Sequence, residues 1–387
     1  DEGERLQAAP RPNAGRGVAY WEDADSKGRI LVVTPGYHLV ALDADTGYQI
    51  SDFGEEGIVD LMENHRARDG IEMVGSIGAS STASVVGDVI VVGSAHHRGG
   101  RPPSMVNTPG DVRGYNVATG ELLWTFHTIP EPGELGIDTW GNDSWSYTGN
   151  AAVWTQMSHD PETGFIYLPT EAPTGDYYGG HRHGDNLFST SIVCLDSKTG
   201  ERVWHFQTIH HDIWDWDNPS APILADLVID GVERKIVALI TKQGFVFVFD
   251  RLTGEPIWPI EERPVPQTDT PGEWTSLTQP FPTKPAPFDR QGFSEDDLID
   301  FTPEIKARAA EVASRYRMGP IYSPPSLADH PDGTEGMLSL PTSTGGSNWE
   351  GGALDPETGH LYIGSYTRAN VLALVEGGDR SDMNYIQ

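Results

Sequence analysis

The sequence predicts an all-β fold, specifically a β-propeller. Three observations lead there: a turn motif that recurs six times, 44 glycines and 29 prolines in 387 residues, and almost no helical periodicity. The motif is an apolar strand, an Asp or Asn, two or three residues, then Thr-Gly, often with Trp close behind. It reads VALDADTGYQI (40–50), RGYNVATGELLW (113–124), IVCLDSKTGERVW (192–204) and FVFDRLTGEPIW (247–258). Shorter relatives are SHDPETGFIYLP (158–169) and GALDPETGHLYIG (352–364).

Each occurrence is a hairpin. The Asp accepts hydrogen bonds from the turn backbone and the Gly takes the positive φ. The trailing Trp124, Trp204 and Trp258 are expected between neighbouring sheets. A spacing of about 50–60 residues suits four-stranded blades, so about six blades are expected. A sandwich has no need of one tagged hairpin six times, and an α/β fold would show helices. One domain over 1–387 follows.

The stretch 259–330 interrupts the pattern and reads as a long inter-blade excursion with a short helix. It opens with a proline-rich run, TQPFPTKPAPF (278–288). Ser294 and Asp297 then resemble a capping box with Asp in place of Glu. Ile305, Ala309, Val312 and Tyr316 follow at helical spacing. Excursions of this length often shield a site.

The 57 Asp and Glu against 26 Lys and Arg give a net charge of −31. That repels nucleic acid and anionic membranes as partners. Cys194, the one cysteine, permits no intramolecular disulfide and reads as a core strand residue. No apolar run approaches the ~18 residues of a membrane helix, and no signal-peptide pattern occurs. The chain opens at Asp1 without Met. It is therefore expected to be processed or a piece, with an incomplete ring, unpaired edges and membrane attachment only through segments outside it.

Candidate chemistry lies in several scattered stretches. HHDIWDWD (210–217) packs titratable groups between tryptophans. A metal reading of His210, His211 and Asp212 is weakened because adjacent strand residues point to opposite faces. A carboxylate beside tryptophan in a dry mouth suits a general base; the alternative is a polar network pinning a loop. Lys242, in ALITKQGFVFVFD, interrupts an apolar strand pair. It either holds an anionic or carbonyl-bearing ligand or snorkels to solvent. Arg16, in AGRGVAYW, suits carboxylate recognition. Trp154, in GNAAVWTQMSHD, is a packed blade residue or a stacking surface. EAPTGDYYGGHRHGDNLFSTS (171–191) reads as a site loop, and Asn348 with Trp349 forms another polar–aromatic pair.

HFQTIHHDIWDWD, TKQGFVFVFDRLTGEPIWPIEERPVPQ, PTGDYYGGHRHGDNL and the Trp-tagged repeats together resemble the pyrroloquinoline quinone (PQQ) dependent dehydrogenases. The similarity is greatest to the membrane-bound glucose-dehydrogenase-like branch of these quinoproteins. It implies an eight-bladed ring and hydride transfer from a sugar or polyol to PQQ. Under it Asp215 matches the general base and Lys242 the lysine at the quinone oxygens. Trp154 matches the stacking platform and Arg16 a partner of a PQQ carboxylate. Asn348 and Trp349 match the pair closing the cofactor's other edge. Thr174 and Asp215 lie beside a Ca²⁺ or Mg²⁺ ion. The resemblance also implies a quinone or cytochrome acceptor and a periplasmic or otherwise extracytoplasmic location.

Three departures stand out. Gly175 occupies a position where many relatives carry Asn. GSAHHRGG (93–100) has His and Arg where the glucose branch has Asp-Asn. The adjacent Cys pair of the alcohol-oxidising branch is absent, which favours sugars and polyols. Two other readings compete with an enzyme of this kind. A non-catalytic binding or scaffold propeller would keep the turns but has no need of Lys242 or Asp215. A hydrolase using the His pairs 96–97 and 210–211 lacks a spacing that makes them one site.

Overall fold

Short antiparallel meanders account for most of the chain. A computed structural model describes residues 2–12, 17–97 and 104–387. After a short helix α1 (Gly3–Ala8), the first sheet runs β1 (Ala19–Glu22), β2 (Gly28–Val33), β3 (His38–Asp43), β4 (Ile58–Asp60). The second runs β5 (Ser84–Val86), β6 (Val89–Val92), β7 (Val112–Asn116), β8 (Leu122–Phe126). The third runs β9 (Ser158–Asp160), β10 (Phe165–Pro169), β11 (Ser191–Asp196), β12 (Arg202–Gln207). The fourth has three strands, β13 (Ile223–Ile229), β14 (Val232–Ile240) and β15 (Val246–Asp250). Its fourth edge is reduced to a bridge between Phe249 and Pro256, because Pro256 and Pro259 lack the N–H a ladder needs.

The excursion begins with a hairpin of β16 (Ile260–Pro264) and β17 (Thr278–Pro282), then β18 (Gly292–Phe293). Helix α2 (Pro303–Ala313) follows, then β19 (Gly319–Pro320), β20 (Ser326–Leu327) and β21 (Met337–Ser339). A last hairpin pairs β22 (Gly352–Asp355) with β23 (His360–Ile363). Strand β24 (Asn370–Glu376) turns away to join β20, β21 and β25 (Tyr385–Ile386). The capping box at Ser294 and Asp297 closes a single 3₁₀ turn, Glu295–Asp297, and not the helix. Helix α2 starts eight residues later, at Thr302, whose Oγ1 accepts the Ile305 N–H with Pro303 at the first helical position.

The leading strands β1, β5, β9, β13 and β22 pack side by side in that order. They set the sheets around one axis, the propeller arrangement that the repeats predict. Among the described residues four sheets and the β22–β23 hairpin follow this packing, and β20, β21, β24 and β25 form a further four-stranded sheet. The six turns are not a count of blades, because one turn motif serves two hairpins. Turns 43–47, 116–120, 196–200 and 250–254 join third to fourth strands; turns 160–164 and 355–359 join first to second strands. The third sheet carries both kinds.

All six tagged turns consequently lie at one end of the meanders. The links from second to third strand, and from one sheet to the next, lie at the other. That opposite end holds Trp154, the 171–191 loop, HHDIWDWD, Lys242, the excursion and Asn348.

The tagged tryptophans join the sheets. The indole Nε1–H of Trp124 donates to the Ser197 carbonyl at 2.9 Å, and that of Trp204 to the Arg251 carbonyl at 3.1 Å. A side chain on Gly114, Gly200 or Gly254 would collide with one of these rings. Trp258 is partly buried between the fourth sheet and the β22–β23 hairpin. Trp204 also packs on Tyr167 and Phe249. Trp204→Ala should therefore remove about 3–5 kcal/mol of stability, read as a lower urea midpoint at unchanged m-value.

Candidate functional site

HHDIWDWD folds around Asp212. Its Oδ1 accepts the Trp214 N–H at 2.9 Å; its Oδ2 accepts the Trp216 N–H at 3.2 Å and the Thr190 hydroxyl at 2.9 Å. Burial pushes this carboxyl up to about 6. The turn holds Asp215 at φ 59°, in the left-handed region that Asp tolerates. Trp214 and Trp216 are stacked at 5.6 Å, both 1% exposed. Their indole N–H groups donate to the carbonyls of Ser323 and Thr342. Trp214 thus ties the loop to the excursion, and Trp216 ties it to the segment that follows.

Lys242, in the tight turn between β14 and β15, is buried and does not snorkel. Its Nζ donates to the Asp215 carbonyl (2.6 Å), Asp215 Oδ1 (3.1 Å) and Asp217 Oδ2 (3.0 Å). Asp215 Oδ2 accepts the Tyr177 hydroxyl at 3.1 Å. Asp217 accepts the Trp154 indole N–H at 3.2 Å and the Ala172 N–H at 3.1 Å. Asp215, at 20% side-chain exposure, is the least buried of the lysine's contacts and opens to the cavity.

A polar cavity of about 370 Å³ gathers Trp154, Asp215, Asp217, Lys242, Asn348 and Trp349. Trp349 sits exposed at its mouth. The cavity also takes in Asn150, Glu171 and Asp176, which the sequence did not single out, although the last two lie in the 171–191 loop that it marked. Two of these carboxyls, Glu171 and Asp176, are buried and held well above the usual carboxylate range, by burial and then by the neighbouring Asp217 and Asp215 respectively. Asp215 is pushed up to about 7 by burial, against the pull of Lys242. Burial disfavours charge on Lys242, but Asp215 and Asp217 outweigh it and keep the ammonium charged.

The other expected residues fare differently. Arg16, and residues 98–100 of GSAHHRGG, lie outside the described residues. Arg11 lies at the cavity, 6.0 Å from the Trp154 ring centre. Thr174 is buried but absent from the cavity lining; its N–H bonds Gly149 and its carbonyl accepts from Arg182. Gly175 has φ +87°, and a Cβ there would lie 2.5 Å from the Tyr178 carbonyl oxygen, so this backbone has no room for Asn. His210 pairs with Gln207 and Glu262, and His211 with Gly184 and Glu273, away from the cavity.

A family described as "PQQ: Glucose/ethanol/alcohol dehydrogenase, beta-propeller domain" matches residues 1–387. The chain belongs to the PQQ-dependent dehydrogenases. It is 32% identical over 348 residues to the quinate/shikimate dehydrogenase (quinone) of Acinetobacter baylyi, covering 87% of this chain and 40% of the relative. It is 33% identical over 375 residues to the glycerol dehydrogenase large subunit of Gluconobacter oxydans, covering 92% and 47%. The chain thus spans less than half the length of these relatives. In fold it resembles a quinohemoprotein alcohol dehydrogenase from Pseudomonas putida HK5, with TM-score 0.64 and 24% identity over 98% of this chain and 47% of that one.

The cavity of this PQQ-dependent dehydrogenase homologue suits the family's cofactor. Lys242 offers a cation and Trp154 a flat indole to one space, as a planar anionic quinone requires. A hard cation fits as well. Glu171 Oε1 and Asn150 Oδ1 are buried oxygens with no hydrogen-bond partner among the described residues, and oxygen donors are what Ca²⁺ and Mg²⁺ take. Still, no group of three or more His, Cys, Asp or Glu among the described residues is spaced to hold an ion unaided.

Proposed function

We propose that the protein carrying this chain oxidises a hydroxyl of a sugar or polyol, with Asp215 as the base. The observation that supports this most directly is Asp215 itself, held from two sides by Lys242 and Tyr177 and open to the Trp154 cavity. Bound PQQ would supply the electrophile that accepts the hydride, with a hard cation polarising it. Asp215 takes the hydroxyl proton, and a carboxyl near neutrality is well matched to that task. Lys242 keeps Asp215 charged and Tyr177 fixes its rotation. Asp217 steadies the Trp154 indole. Glu171 and Asn150 are the oxygens we assign to the cation.

Electrons would pass to a quinone or cytochrome, and the protein would work outside the cytoplasm. None of the described helices is long and apolar enough to cross a membrane.

The test supplies the full-length protein with PQQ and Ca²⁺ and follows dye reduction with aldoses, polyols and simple alcohols. Reduction with a sugar or polyol is expected. If no sugar or alcohol reduces the dye while PQQ binds, a binding propeller without catalysis is the better description.

A further inference from the structure

We propose that Glu273 is a positioning residue for Asp215, acting through a buried hydrogen bond with His211; this rests on the reading of Asp215 as the base. Glu273 belongs to the 265–277 loop of the β16–β17 hairpin, within the excursion. Its side chain is 2% exposed and that of His211 0%. Glu273 Oε1 lies 3.1 Å from His211 Nε2 and accepts the Trp274 N–H at 2.8 Å. Its Oε2 accepts the Gly179 N–H at 2.5 Å.

The hydrogen bonds decide where the protons sit. His211 Nδ1 lies 2.8 Å from the Gly184 carbonyl oxygen. A carbonyl can only accept, so this contact needs a hydrogen on Nδ1. Both Glu273 oxygens accept backbone N–H groups, as a carboxylate does, so the contact with Oε1 needs a hydrogen on Nε2. The ring satisfies both partners at once only as a cation.

Other groups act on it. Burial and the neighbouring Arg182 hold His211 below its ordinary value, against the pull of Glu273; His181, another buried neighbour, adds repulsion when charged. A neutral ring carries one hydrogen and bonds Gly184 or Glu273, not both. Glu273 is held below its ordinary value: burial would raise it, but His211 and the two backbone N–H groups outweigh that.

This one carboxylate grips two loops. His211 directly precedes Asp212, whose side chain folds the turn that carries Asp215. Gly179 is two residues from Tyr177, the hydroxyl that orients Asp215. Burying the Glu273 carboxylate carries a desolvation cost, offset here by two backbone N–H groups and His211.

The test uses the full-length protein with selectively ¹⁵N-labelled histidine. In the wild type His211 should titrate below its ordinary value, and in Glu273→Gln lower still. Turnover of Glu273→Gln should fall on the order of 10²-fold, with substrate KM and PQQ affinity near wild type, and Glu273→Asp should recover part of it. His211→Gln should give a similar loss, not additive with the first. In the wild type both ring hydrogens are present at low pH and one is lost as pH rises through the His211 pKa. A His211 titration unchanged by Glu273→Gln overturns the pairing, whatever the activity. A shifted titration with wild-type turnover in both variants overturns the positioning role. Unchanged turnover in Asp215→Asn sinks the base reading alone, leaving the ¹⁵N result to stand or fall separately. If Glu273→Gln does not fold, Glu273→Asp carries the same readouts and His211→Gln the turnover one.

Discussion

Asp215→Asn should slow turnover by about 10²–10⁴-fold, the usual worth of a positioned general base, with PQQ affinity close to wild type. The substitution keeps the shape of the site. The Lys242 ammonium bonds the main-chain carbonyl of residue 215 as well as its carboxylate, so its strongest contact there survives. The Asn oxygen can face Lys242 while its amide donates to the Tyr177 hydroxyl, which accepts as readily as it donates. Asp217 and its bonds to Trp154 and Ala172 are untouched. What disappears is the group that takes the proton. Steady-state dye reduction beside a PQQ titration checks both halves. Normal turnover in this variant would show that the base lies elsewhere, with Asp176 and Glu171 the next carboxyls to test.

Lys242→Met should be more disruptive to the folded state. Removing the ammonium leaves Asp215 and Asp217 facing each other without the cation that touches both. Breaking a buried pair in this way costs about 3–5 kcal/mol. PQQ affinity should fall too, because a positive charge leaves the cavity wall. Lys242→Arg should rescue poorly, since a planar guanidinium cannot converge on three oxygens as one ammonium does. Urea unfolding compared at pH 5 and pH 8 separates the causes. The defect should grow at pH 8, where the Asp215 carboxyl ionises, and shrink at pH 5. A variant as stable as wild type at both would mean that the ammonium does not stabilise a charged Asp215.

How far the site could be read beforehand depends on the range of the interactions involved. The Asp-x-x-Thr-Gly turns are recognisable because their bonds close within five residues, as when Asp43 Oδ1 accepts from Thr46 and Gly47 follows at φ +73°. Their number misled because first-to-second and third-to-fourth hairpins share the same local chemistry. The Ser294 capping box is real, yet it caps one turn; Pro303 restarts the chain as a helix. Asp215, Lys242 and Trp154 were legible because their residue types are odd for their surroundings, and the family resemblance assigned their roles. Glu171, Asp176 and Asn150 carried no such signal. They matter through burial and through missing partners, which no local pattern encodes.

The sequence by itself determined the hairpin unit and the tryptophans that join neighbouring sheets, and it marked the acid, lysine and indole to which the family resemblance gives roles. The hairpins and tryptophans follow from bonds and residue chemistry within a few positions. Only the tertiary structure decided that all the tagged turns share one end and the site residues the other, since that depends on strand direction through whole meanders. It alone brought Glu273 against His211, 62 residues apart, and set several buried carboxyls around one lysine. Their ionisation is settled by what surrounds them in space, because desolvation and unscreened neighbouring charge act across the cavity and not along the chain.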